Sequence, residues 1–114
     1  MSNGNQPVNI EVYWVGGADG YPTADKATVR AALNAAVTIT WSNGPGIGSI
    51  DAFNFTSNPQ GSITPPVKRN GVWTAVDTVK GNDILKYLVQ ATSNQGYGQK
   101  WSPDPEIEND VELK

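Results

Sequence analysis

The sequence predicts an all-β fold: a single-domain antiparallel β-sandwich of about seven or eight strands. Three observations carry that expectation. Clusters of Gly, Asn, Pro, Ser and Thr recur along the chain and separate short runs rich in β-branched and aromatic residues. Within those runs apolar and polar residues alternate, which puts one face of a strand in a core and the other in water. The 114 residues match one domain, read as 1–114 with residues 1–6 a flexible N-terminal tail.

The first run is Val8–Val15, where Val8, Ile10, Val12 and Trp14 alternate with Asn9, Glu11 and Tyr13. Gly16-Gly17-Ala18-Asp19-Gly20 ends it. Residues 24–41 are ambiguous. Their six alanines favour helix by propensity, and a helix over roughly 24–35 is one reading. The alternation of Val29, Ala31 and Leu33, and of Val37, Ile39 and Trp41, supports the other: two strands joined by a tight turn at Asn34-Ala35. Ile50–Thr56 follows as a strand with Phe53 and Phe55 on one face. Pro65-Pro66 marks an edge or an extended entry. Asn70-Gly71 lies between Val67-Lys68-Arg69 and Val72–Val76 and supplies the positive φ values of a type I′ hairpin, with Arg69 facing Val72 and Lys68 facing Trp73. After the turn at Gly81-Asn82-Asp83, Ile84–Thr92 is a strand. A Gly/Asn/Gln loop then carries Tyr97 and Trp101, and Asp104–Leu113 is the last strand. Val8–Val15 and Asp104–Leu113, as terminal strands, are the expected sheet edges.

Composition excludes more chemistry than it suggests. No cysteine is present, so disulfides, thiolate metal sites and cysteine nucleophiles are excluded. No histidine is present either, which removes a Ser–His–Asp triad and the commonest zinc and copper ligand. The expectation is no enzyme, no catalytic residues and no cofactor. The net charge is −3, and the basic residues are scattered apart from Lys68–Arg69, so no stripe exists to neutralise a run of phosphates. Nucleic acid is not an expected partner, nor is a membrane, because no apolar stretch approaches the ~20 residues of a spanning helix. The polar start Met1-Ser2-Asn3-Gly4-Asn5-Gln6 lacks the basic and apolar regions of a signal peptide. A cytoplasmic location as synthesised is expected, with export by another route left open.

Two stretches carry a resemblance. Ala27-Thr28-Val29, followed by Val37-Thr38-Ile39-Thr40-Trp41-Ser42-Asn43, resembles the early strands of cupredoxin-like and immunoglobulin-like bacterial sandwiches. Leu85–Ala91, closing in Asp104-Pro105-Glu106-Ile107-Glu108-Asn109, resembles the last strands of small bacterial proteins of that type, and the inclusion-body proteins of the AidA and PixA group close in a broadly similar way. The resemblance implies a fold and no site. Cupredoxins hold copper with two histidines and a cysteine, and this chain has neither residue type.

Two side-chain groups remain as site candidates. Asp104, Glu106, Glu108 and Asp110 lie at alternate positions of one strand, where carboxylates on one face can share a calcium ion; the competing reading is a charged, solvated edge. Tyr21, Tyr97 and Trp101 lie in or beside Gly-rich loops, where exposed rings can stack on a sugar, whereas Trp14, Trp41 and Trp73 are expected in the core. Asp19, Asp51, Asp77 and Asp83 read as residues of separate turns. The sequence therefore points to a structural or interaction protein acting on itself or another protein, with self-assembly into an oligomer, fibre or inclusion. A small carbohydrate-binding module is the alternative, with a glycan as partner.

Overall fold

Every alternating run becomes a strand, and among the described residues there is no helix. The structure, a computed structural model, describes residues 7–112; the tail expected over 1–6, and Leu113 at the close of the last expected strand, lie outside them. Ten strands result: β1 (Val8–Val15), β2 (Tyr21–Ala24), β3 (Ala27–Ala31), β4 (Ala36–Asn43), β5 (Ile47–Ser57), β6 (Val67–Arg69), β7 (Val72–Thr78), β8 (Asp83–Ser93), β9 (Gln99–Trp101) and β10 (Glu106–Val111). The two strands beyond the expected eight are β2 and β9. Both are short and lie in segments whose Gly and Pro content reads as loop.

The strands form two sheets packed face to face. The first has the order β2-β1-β4-β7-β6; the second has β3-β10-β8-β5, with β9 beside the far half of β8. Pairing is mixed rather than purely antiparallel, since β1 runs parallel to β4 and β3 parallel to β10. The cause is local. The path of β2 breaks at Asp25-Lys26 and continues as β3 in the opposite sheet, so a single turn at residues 32–35 returns the chain to the first sheet running with β1. That turn is closed by Ala35 N–H donating to the Ala32 carbonyl (3.0 Å), with Asn34 at φ 70°. Residues 24–36 are therefore strands, and the alanine propensity for helix is overridden by burial of Val29 and Ala31 between the sheets. Leu33, expected in the alternation, sits on the turn instead, 56% exposed.

The hairpin at Asn70-Gly71 has φ 52° and 78°, and it pairs Arg69 with Val72 and Lys68 with Trp73 as expected. The core is built from the inward faces: Val12, Val37, Ile39 and Trp41 from the first sheet, and Val29, Leu85, Tyr87, Val89 and Ile107 from the second. Trp41 donates its indole N–H to the Tyr87 hydroxyl (3.2 Å), and Phe53 lies against both Trp41 (4.5 Å between centroids) and Trp73 (5.2 Å). Burial pushes the Tyr87 phenol up to about 12. Trp14 and Trp73 pack on the core at its margin rather than inside it.

The expected edges are corrected. β1 lies between β2 and β4, and β10 between β3 and β8. Both terminal strands are interior because the β2–β3 path wraps around the side of the sandwich and covers them. The true outer strands are β2 and β6 in the first sheet and β3, β5 and, along the far half of β8, β9 in the second.

Candidate functional site

The acidic strand resolves into a ladder of ion pairs. Glu106, Glu108 and Asp110 share the outer face of β10, and each meets a cation on a neighbouring strand or its flank: Lys86 of β8 at 4.0 Å, Lys26 at 3.1 Å and Arg30 of β3 at 2.6 Å. Arg30 donates to Asp110 Oδ2 through both Nε (3.1 Å) and Nη2 (2.6 Å), and the carboxylate raises the Arg30 guanidinium further. Asp104 precedes the strand. No group of three or more carboxylates converges among the described residues. Three of the four charges that suggested a cation site are paired with cations of the same sheet or its flank.

The aromatic trio is divided. Tyr21 pairs with Val15, on the outer face of the first sheet. Trp101 pairs with Gln90, on the outer face of the second sheet, and belongs to β9 rather than to a loop. Tyr97 leans on Trp14 at the end of the sandwich, 6.2 Å between centroids. All three rings are exposed, Tyr21 and Trp101 on the outer faces of opposite sheets and Tyr97 at the end of the sandwich.

A polar row missed in the sequence crosses the second sheet beside Trp101. Asp51 of β5 accepts from Ser49 Oγ (2.7 Å), Thr92 Oγ1 of β8 (2.6 Å) and Gln99 Nε2 of β9 (3.0 Å). Desolvation pushes its carboxyl up, but those three donors, with Lys68 nearby, outweigh it and hold the group below its ordinary value. Asp51 occupies an irregular point of β5, where the register shifts between Ile50 and Ala52. That bulge could not be read from the sequence.

Asp77 and Asn109 were equally hidden. Asp77 is a fully buried residue of β7, not a turn residue, and faces the fully buried Asn109 of β10 across the sandwich. Asn109 Nδ2 donates to Asp77 Oδ1 (2.9 Å), while Asp77 Oδ2 and Asn109 Oδ1 lack partners. Desolvation, with a smaller repulsion from Asp83, raises the Asp77 carboxyl.

The outer strands differ in how well they are guarded. β6 has three residues behind Pro65-Pro66 and carries Lys68 and Arg69; β9 has three residues, carries Lys100 and stops before Pro103; β2 contains Pro22; β5 has three register shifts against β8. Each is a device that resists pairing with another chain. β3 has neither the prolines nor the shifts, and its one charge, Arg30, is paired with Asp110. It contains no proline, pairs with β10 without a shift from Ala27 to Ala31, and its flanking cations are drawn onto β10. The Ala31 carbonyl accepts from Glu112 N–H (2.8 Å), so the backbone groups of Ala27, Val29 and Ala31 turn toward β10, and those of Thr28 and Arg30 turn to the open side. Both residues are exposed. On that side a groove of about 350 Å³ runs between β3 and β1, lined by Val8, Asn9, Ile10, Glu11, Lys26 and Thr28 among others. β2 pairs only with Val12–Val15, leaving the earlier half of β1 open toward the groove among the described residues. Asp25 accepts from the Tyr13 hydroxyl (2.6 Å) at the groove wall, which raises the Tyr13 phenol. Compared with known proteins, the chain matches no family model and no curated sequence.

Proposed function

We propose that this chain is a non-enzymatic structural protein that works by self-association, two copies pairing antiparallel along the open edge of β3. The observation that supports it is the unguarded backbone of Thr28 and Arg30. A register centred on Val29 sets Thr28 opposite Arg30 of the partner subunit, and Arg30 opposite Thr28 of the partner subunit. These are the residues whose N–H and C=O groups are free, so the two pairs exchange four backbone hydrogen bonds. The same register keeps the two arginines from facing each other, and each stays tied to its own Asp110. Such a contact is isologous and joins the second sheets of two subunits into one continuous sheet.

Five residues of strand bury far less than the ~1,200 Å² of a standard stable interface. The association is therefore weak and concentration-dependent, suited to assembly at high local concentration in the cytoplasm. Similarity to inclusion-body proteins of the AidA and PixA group belongs to this reading, since an inclusion needs self-contacts of this sort. The test is sedimentation over a wide concentration range for the natural protein, Thr28→Pro and Thr28→Val. Proline at position 28 removes an N–H that makes no bond within the domain, so it blocks pairing with little effect on the fold. The natural protein and Thr28→Val dimerise, and Thr28→Pro stays monomeric. A strictly monomeric natural protein at high concentration, or an equally dimeric Thr28→Pro, contradicts the proposal.

A further inference from the structure

The outer face of the second sheet carries a second surface, separate from the β3 edge. Val89 and Ala91 of β8 point into the core, so Gln90 and Thr92 point out. Pairing carries that face sideways in two rows. One is Trp101 on β9, Gln90 on β8 and Ala52 on β5; the other is Gln99, Thr92 and Ser49, with Asp51 drawn in at the bulge. Strands lie ~4.8 Å apart, and successive rows on one face are ~6.8 Å apart. Trp101 therefore stands one strand from an amide and one row from the Asp51 network. It is 44% exposed, whereas Trp41 is buried and Trp14 and Trp73 are packed at the core margin.

The polar row has spare capacity of a definite kind. A carboxylate offers about four acceptor sites, and Asp51 uses three on Ser49, Thr92 and Gln99. Both hydroxyl protons are committed to Asp51, so the free lone pairs of Ser49 and Thr92 remain to accept. Gln90 makes no side-chain hydrogen bond among the described residues and brings both a donor and an acceptor. An apolar ring beside outward-facing acceptors and an amide suits a ligand with an apolar C–H face and a rim of hydroxyl donors.

We propose that this face binds a neutral oligosaccharide, one pyranose stacking on Trp101 and the hydroxyls of the next sugar along the chain donating to Asp51, Ser49 and Thr92. The negative charge of Asp51 and the chain's net charge of −3 select against acidic sugars. An open three-strand face with its ring and polar row side by side favours an extended, β-1,4-linked chain of equatorial hexoses. The site keeps one ring of the expected trio and replaces Tyr21 and Tyr97 with residues of the sheet.

Cellohexaose titrated into isotope-labelled protein tests this, read on the four indole N–H signals and the Gln and Asn side-chain amides. The Trp101 indole and the Gln90 and Gln99 amides shift together, with a Kd on the order of 1 mM. Trp101→Ala weakens binding by at least ~10-fold, and Tyr97→Ala leaves it unchanged. Thr28→Pro, the monomeric variant, binds as the natural protein does, which separates this site from self-association. An unmoved Trp101 signal at about 10 mM sugar, equal binding by Trp101→Ala, or shifts centred on Tyr21 or Tyr97 each overturns the proposal.

Discussion

Replacing Asp77 by asparagine should stabilise the protein at neutral pH, an unusual result for a fully buried carboxyl. The two orphan atoms, Asp77 Oδ2 and Asn109 Oδ1, belong to the same pair, which is already joined by one hydrogen bond. A proton on Oδ2 donates to Asn109 Oδ1 and closes an acid–amide ring with two bonds, satisfying both orphans together. The neutral acid is thus the species the buried site accommodates, in line with the raised Asp77 carboxyl. A carboxyl whose folded-state pKa lies above its unfolded value binds its proton more tightly when folded. Its contribution is fully present below the unfolded value, ~3.9, and is lost as pH rises through the folded value. Within that window stability falls by up to ~1.4 kcal/mol per pH unit for the one proton. In Asp77→Asn the new side-chain amide reproduces both hydrogen bonds with no proton to lose. Urea unfolding of the natural protein and Asp77→Asn should give matching stabilities near pH 4, with the variant gaining as pH rises and levelling off above the folded value of Asp77. Groups such as Asp51, lowered rather than raised, titrate alike in both proteins and cancel in the difference. Asp77→Ala, which strands Asn109, should lose ~1–3 kcal/mol near pH 4, where the natural pair is intact. A constant penalty for Asp77→Asn across this pH range refutes the acid–amide pair.

Three further outcomes follow from the packing. Gly71→Val puts a β-branched residue at φ 78° and should lower stability by more than ~1 kcal/mol in a denaturant melt, where a neutral result would mean an open turn. Tyr87→Phe removes the acceptor of the buried Trp41 indole N–H and should cost ~1–3 kcal/mol, with an altered Trp41 fluorescence; unchanged stability would mean the indole finds another acceptor. Deleting residues 104–114 takes out an interior strand together with Ile107 and Asn109, and should abolish the cooperative thermal transition; a truncated domain that still melts cooperatively would contradict the strand order.

What was legible in the sequence was local. The period of two in Val8–Val15 and Ile84–Thr92 comes from burial of one strand face, and Asn70-Gly71 from the positive φ of a tight turn, so both could be read residue by residue. What was hidden depends on which strands become neighbours. The break at Asp25-Lys26 moves the chain from one sheet to the other, and nothing in those two residues announces it. Because of that switch the terminal strands become interior, and the acids of β10, which meet Lys86 through β8, also find Lys26 and Arg30. The same holds for the sites. Exposure of Tyr21, Tyr97 and Trp101 followed from their surroundings, but their separation onto different surfaces is a consequence of pairing register. Asp51 with Thr92, and Asp77 with Asn109, are 41 and 32 residues apart, and only the sheet pairing brings them together.

Self-association along β3 has a direct residue-level readout in amide hydrogen exchange followed from dilute to concentrated protein. In dilute solution the N–H groups of Val29 and Ala31, turned toward β10, exchange slowly, while those of Thr28 and Arg30 exchange fast. As concentration rises, Thr28 and Arg30 become protected together while the amides of β6 and β2 do not change, and Thr28→Pro abolishes the protection of Arg30. Protection of Thr28 and Arg30 that is independent of concentration, or concentration-dependent protection on a different strand, contradicts the assignment of β3 as the edge through which this protein works.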